Sequence, residues 1–254
     1  MAGHVKTKFH SMFGNIKKIL HKLWVPDYLA VTTLEPENSS LRKIHISKTM
    51  IDDFINIAKP NTEKKLHTGA ALLAIAARDV YYVIALYIPL QTSMKDTFEV
   101  FREVRMENYC KKYGVVPIGW IHLHPAEQCY LTDIELHNLF RYQEQVREFI
   151  AIILAPNSIF KKYGVFRIRD PEGMEVIREC KEIRPCCDHK HKNPETGGPI
   201  YHECSNNVIL DSKIKYDIED MHFNPCRKAY RSYKLDRTSS QVDGIIFLHS
   251  GCRW

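Results

Sequence analysis

Two imidazoles stand two residues apart in Gly119-Trp120-Ile121-His122-Leu123-His124-Pro125, and they are the first groups in this sequence whose spacing suggests chemistry. Alternate residues of an extended chain face the same way, so His122 and His124 can reach a single ion. An open catalytic zinc site takes three protein ligands and leaves a fourth position for water. A third donor is therefore needed, and Glu135 and Asp133 are the candidates. The His-x-His pair alone is a weak signal, because motifs this short recur by chance. Thr132-x-x-Glu135 also has a second reading as a capping box, in which the glutamate reaches back to the start of its own helix and away from any metal.

The elements that must position these groups can be read from periodicity. Leu41 to Ile46 alternates like a strand, and Ser47 can cap a helix whose Met50, Ile51, Phe54, Ile55 and Ala58 form one apolar face. Thr68 to Ala76 and Val80 to Ile88 are apolar runs, the second rich in the Tyr, Val and Ile that favour strands. Phe98 to Tyr113 reads as a helix stopped by Gly114. Val115 to His122 is a strand that delivers the histidines into a loop, and Thr132 to Arg147 is the helix carrying Glu135. Phe149 to Ala155 and Tyr163 to Arg169 are further strands, with Asp170-Pro171-Glu172-Gly173 as a turn after them. The sum is an α/β fold: one domain with a mixed central sheet flanked by helices.

Composition sets the bounds. A chain of 254 residues with 44% hydrophobic and 26% charged residues can bury one sizeable core. Residues 1–40 form an N-terminal part. Its Lys6, Lys8, Lys17, Lys18 and Lys22 accompany Phe9, Met12, Phe13, Ile16, Leu20 and Leu23 at helical spacing, a basic amphipathic helix with the character of a membrane-surface contact through residues 5–24. Packing of that helix on the domain, or a loose tail, is the other reading. The domain proper spans 41–222, and residues 223–254 are a basic C-terminal appendage without periodic pattern. No apolar run is long enough to span a bilayer, and no secretory signal is visible, so a cytoplasmic setting is expected. The 8 cysteines are then expected to stay mostly reduced. A net charge of +6 is moderate and gives no ground for nucleic-acid binding.

The stretch from Gly119 to His137 resembles the JAMM signature of metal-dependent deubiquitinases: His-x-His-Pro, six residues, a hydroxyl residue, two residues and an acid. Leu41 to Ser47, Asn61-Thr62-Glu63-Lys64, Asp170 to Val176 and His202-Glu203-Cys204-Ser205-Asn206 extend the likeness to the AMSH-like ubiquitin thioesterases, especially the short plant form. The resemblance covers roughly residues 41 to 222. It implies an MPN domain and a zinc isopeptidase acting on polyubiquitin linked through the ubiquitin lysine at position sixty-three. It further implies endosomal sorting machinery as the setting, with a cytoplasmic, endosome-associated location.

Carried over by position, His122 and His124 match the family's histidine ligands of the catalytic zinc. Glu135 stands where the family has an aspartate ligand, and Thr132 where it has the serine that supports the oxyanion. His67 occupies the place of the general-base glutamate. A neutral imidazole there can accept a proton, or it can add a ligand and close the site. Glu63 could substitute as base after a shift of its loop. Tyr130 is the substrate-binding candidate. His137, Cys180, His189 and His191 match a second, structural zinc site, giving two zinc ions, with Cys186, Cys187 and Asp188 as extra candidates nearby. Asp188 replaces a family phenylalanine that touches the proximal ubiquitin, a change that bears on linkage selectivity. The alternative function is a catalytically impaired MPN-type module that binds ubiquitin or serves as a scaffold.

Overall fold

The structure, a computed structural model, describes residues 41–101, 104–125, 129–180, 191–204, 206–221 and 245–247. The proposed N-terminal helix lies outside these residues. Strand β1 (Lys43–Ile46) leads into helix α1 (Lys48–Thr62), followed by the hairpin of β2 (Thr68–Ala77) and β3 (Val80–Ile88). Next come β4 (Gln91–Ser93), β5 (Phe98–Phe101), α2 (Val104–Tyr113) and β6 (Val116–Leu123). Helix α3 (Asp133–Gln143) precedes β7 (Ile150–Leu154), β8 (Tyr163–Ile168) and α4 (Glu172–Arg178). Short strands β9 (Tyr201–Glu203), β10 (Val208–Leu210), β11 (Asp217–Asp220) and β12 (Ile245–Phe247) complete the set.

Among the described residues the main sheet follows the order β10-β1-β3-β2-β6-β7-β8-β9, with β11 also on β3. It is mixed: β6 pairs antiparallel with β2 and parallel with β7. Helices on both faces explain why the central strands read as unbroken apolar runs. On one face, Met50, Phe54 and Ala58 of α1 pack against Leu72, Ile118, Ile121, Leu123, Ile150 and Ile152. On the other, Leu136 and Leu139 of α3 and Met174 and Ile177 of α4 cover Ala151, Ile153, Phe166 and Ile168. Adjacent residues of β7 thus serve opposite cores, as a two-residue period requires.

Three expectations change. Phe98–Phe101 is a strand paired antiparallel with Gln91–Ser93, and the helix begins only at Val104. Phe98 and Val100, two residues apart, are both buried, which is the strand period. Gly114 does end that helix, with φ of +65°. The expected turn at Asp170–Gly173 runs directly into α4: the amides of Gly173 and Met174 both donate to the Arg169 carbonyl, at 2.8 and 3.0 Å. Ser47 stands at the N-cap of α1, yet its hydroxyl bonds that of Thr49 at 2.8 Å and makes no cap bond. Within the C-terminal segment, Ile245–Phe247 pairs antiparallel with β5 in a three-stranded sheet with β4.

Candidate metal centre

Strand β6 sends Ile121 and Leu123 into the α1 core, so Trp120 and His122 face the α3 side. The chain stays extended for one more step, because the His124 amide donates to the Leu154 carbonyl at 2.7 Å. On the neighbouring strand, Gly69 pairs with His122 and Thr68 with Leu123, which brings His67 alongside. The His67 ring centroid lies 5.0 Å from those of both His122 and His124. All three are buried, with His124 fully so.

The backbone at this corner is tied from outside the sheet. Gln91 accepts from the Gly69 amide at 2.9 Å and donates to its carbonyl at 2.7 Å, and the His67 amide donates to the Met94 carbonyl at 2.8 Å. Phe98 lies edge-on against His122 at 4.8 Å, over the glycine, and a Cβ on Gly69 would run into that ring. Neither Gln91 nor Phe98 was singled out by the sequence. A polar side chain beside an apolar run was the faint signal for Gln91, and nothing marked Phe98.

Glu135 is buried on the first turn of α3. Its Oε2 accepts from the Thr132 amide at 2.8 Å and from the Thr132 hydroxyl at 2.9 Å, while that hydroxyl accepts from the Glu135 amide at 3.3 Å. Its Oε1 is bonded by Nδ1 of His122 and, at 2.9 Å, by Nε2 of His124. The capping box and the approach to the histidines coexist, because a carboxylate has two oxygens and each goes to one task. Asp133 belongs elsewhere: its Oδ1 accepts from the His191 amide at 3.0 Å and meets His191 Nδ1 at 3.1 Å.

An ionised carboxylate only accepts, so His122 and His124 donate to Glu135 from those nitrogens. Nε2 of His122 is then left to accept from Nδ1 of His67, 2.9 Å away. The second nitrogen of His67, Nε2, is buried without a hydrogen-bond partner. Burial, followed by the neighbouring His122 and His124, pushes His67 down to about 3 against the opposite pull of Glu135. Burial also lowers His122. For Glu135 burial acts upward, but His124, His122 and their hydrogen bonds together hold the carboxyl well below its usual range. Burial thus favours the uncharged imidazole at His67 and His122, the form in which histidine binds a divalent cation.

His67, His122 and His124 each offer one ligand atom, all within 4.8 Å of one another. These residues, with Thr132 and Glu135, line one end of a cavity of about 290 Å³ whose remaining walls include Phe98, Val100, Met106, Trp120, Tyr142 and Phe149. Tyr130 is 40% exposed, with its ring 6.4 Å from that of His124. Glu63 is exposed at the end of α1 and is not among the residues lining this cavity.

A second group forms behind α3. His137, Cys180 and His191 each offer a ligand atom within 4.8 Å of the others, and the two imidazoles lie 4.8 Å apart between centroids. His189 lies outside the described residues, as do Cys186, Cys187 and Asp188.

No family model matches the chain. It is 40% identical to AMSH-like ubiquitin thioesterase 2 of Arabidopsis thaliana over 185 residues, which is 73% of this chain and 81% of that protein. It is 36% identical to AMSH-like ubiquitin thioesterase 1 of the same plant over 179 residues, 70% of this chain and 34% of that protein. It is 27% identical to STAM-binding protein of Rattus norvegicus over 187 residues, 73% of this chain and 42% of that protein. The chain thus spans most of the first relative and less than half of the two longer ones.

Proposed function

The chain belongs to the AMSH-like ubiquitin thioesterases, and we propose that within that family it is a zinc-dependent isopeptidase that opens polyubiquitin, with lysine-sixty-three-linked chains as its substrate. The mixed sheet between helices is read accordingly as an MPN domain. One observation carries the proposal: buried histidines at the ends of two adjacent strands meet a carboxylate from α3 at a cavity.

The residues present fit a zinc ion. The convergence of three buried imidazoles and one carboxylate is an arrangement a core of hydrocarbon neighbours does not favour, and nitrogen and oxygen donors suit this metal. When bound, zinc supplies Lewis acidity to a scissile carbonyl and lowers the pKa of water. His122 and His124 would hold it, with Glu135 as third donor by the family correspondence and His67 as the competing choice. Thr132 would support the oxyanion with its hydroxyl, at the expense of the bond it gives Glu135. His67 would be the proton acceptor at the family's base position. A second zinc would sit between His137, Cys180 and His191, with His189 as the fourth ligand.

A second reading has its own support. An imidazole pushed down to about 3 is a weak base, and the Thr132 hydroxyl proton is already engaged. Both favour a ubiquitin-binding or scaffold module with little turnover. Incubating the zinc-loaded full chain with lysine-sixty-three-linked di-ubiquitin separates the two. Cleavage that chelator and His122→Ala abolish supports the isopeptidase, whereas zinc and ubiquitin binding with no cleavage supports the module.

Polyubiquitin is the proposed partner in either case, and the name of the STAM-binding relative supports endosomal sorting machinery and a cytoplasmic, endosome-associated location. No helix among the described residues is long and apolar enough to cross a membrane. Peripheral contact through residues 5–24 stays a proposal, tested by loss of binding to anionic vesicles after deletion of residues 1–25.

A further inference from the structure

Resting on the reading that this corner holds zinc, we propose that the ligand position is exchanged in this chain: His67 is the third metal ligand, and Glu135, no longer a ligand, is a positioning carboxylate that orients the ligand rings from behind. The family correspondence makes Glu135 the ligand and His67 the base.

The geometry favours the exchange on three counts. The donor atoms that come within 4.8 Å of one another belong to His67, His122 and His124. His67 Nδ1 and His122 Nε2 are 2.9 Å apart, close to the ~3.3 Å between donors of a tetrahedral set with Zn–N near ~2.0 Å.

Glu135, in contrast, approaches His122 from the opposite side of the ring, at Nδ1. A metal-binding histidine usually gives its other N–H to a carboxylate, which fixes the ring and raises its basicity. Glu135 makes that contact to His122, and a like one to Nε2 of His124. Its second oxygen is held by the amide and hydroxyl of Thr132. The extra methylene of glutamate over aspartate is what lets one side chain reach both the helix cap and the rings. Three histidines with one open position form an established catalytic zinc set. The altered ligand of the family pattern is then replaced by the imidazole at the former base position.

The test follows the histidine ring nitrogens by NMR in the histidine-labelled full chain as zinc is added to the metal-free protein, with His67→Ala used to assign the His67 signals. Ring-nitrogen shifts of coordination at His67, His122 and His124 together are expected. Zinc competition with a chromophoric chelator should show His67→Ala weakened by more than about 10²-fold, beyond the ~10–100-fold that loss of an outer hydrogen-bonding partner costs. Glu135→Gln should stay within that smaller range while holding its zinc. Shifts at His122 and His124 with none at His67, or Glu135→Gln failing to bind zinc while His67→Ala binds normally, would overturn the exchange. No shift at any of the three would instead reject the zinc site itself. His67→Gln, which keeps a polar side chain in the same pocket, guards against loss of the fold in the alanine variant.

Discussion

His67→Glu, alone and then with Glu135→Asp, is the most informative perturbation of this site. His67 is 2% exposed and its Nδ1 lies 2.9 Å from His122. A glutamate there removes a nitrogen donor and sets a second carboxylate near the buried Glu135, where like charges are costly to hold. The single variant should therefore bind zinc more weakly and cleave no faster than the parent. Glu135→Asp shortens the side chain by about one C–C bond, ~1.5 Å. From contacts of 2.8 and 2.9 Å to Thr132 and 2.9 Å to His124, it cannot keep both ends. Losing the Thr132 end should lower stability by about 1 kcal/mol, the usual value of a cap. The double variant restores the family's base and shorter ligand together. Its kcat/KM on lysine-sixty-three-linked di-ubiquitin should exceed that of His67→Glu by about 10²-fold, the lower range for a positioned base. That factor corresponds to about 2.7 kcal/mol for Glu135→Asp in the His67→Glu background, since each tenfold is ~1.36 kcal/mol, and the coupling between the positions is that value less the effect of Glu135→Asp alone. The measurements are kcat/KM and zinc affinity on the parent, both single variants and the double, each checked for an unchanged far-ultraviolet spectrum. If His67→Glu alone keeps its zinc and raises cleavage, His67 was only a poor base and the exchange of roles is wrong.

Three further outcomes follow from the geometry. Metal analysis of the full chain should return close to two zinc ions, and Cys180→Ser should lose one of them with the His122 site still loaded; retention of both would remove Cys180 from the second cluster. Because His67 sits at about 3 in the folded chain against an ordinary 6.5, the unfolded chain takes up that proton first as the pH falls. Urea-unfolding stability of the metal-free chain should thus decline as the pH falls below the ordinary value, with His67 contributing up to one proton to a slope that the lowered His122 and His202 also feed. Loss of Glu135's depressed carboxyl adds to this decline at the acid end. A profile in His67→Gln as steep as in the parent would show the slope arises elsewhere. Gln91→Ala strips both bonds from Gly69 in a buried setting; a fall of about 1–3 kcal/mol in thermal unfolding is expected, and an unchanged melting temperature would mean the tether is dispensable.

Much of this arrangement was legible in the sequence, for reasons that differ from residue to residue. His122 and His124 could be placed on one face because β6 is a strand and its period is two. Thr132 and Glu135 presented two readings that looked exclusive, and only the positions of the two carboxylate oxygens show that they are not. Phe98–Phe101 was misread because four residues do not separate a strand from the first turn of a helix; the pairing with Gln91–Ser93 decides it. Asp170-Pro171-Glu172-Gly173 reads as a turn in the sequence, yet Gly173 lies within α4, and a Cβ there would collide with the Ile200 carbonyl. The meeting of His67 with His122 spans two strands, and no local pattern reports it. Asp133 and His191 are further apart still in the chain, and their bond depended on where the segment after α4 returns.

Strands β9 and β10 follow one another in the chain, yet they stand at opposite ends of the sheet's pairing order. The Cys204 amide bonds back to Val165 of β8, while Asn207 receives the Ile44 amide of β1. The two strands that begin and end the pairing order are therefore only a few residues apart in the chain. A slide of β2 by one residue past β6 would carry His67 to the wrong side of His122 and turn every side chain of β2 to the other face. The alignment of the histidines is in that sense held by the burial of Ala70, Leu72 and Ala74 along β2.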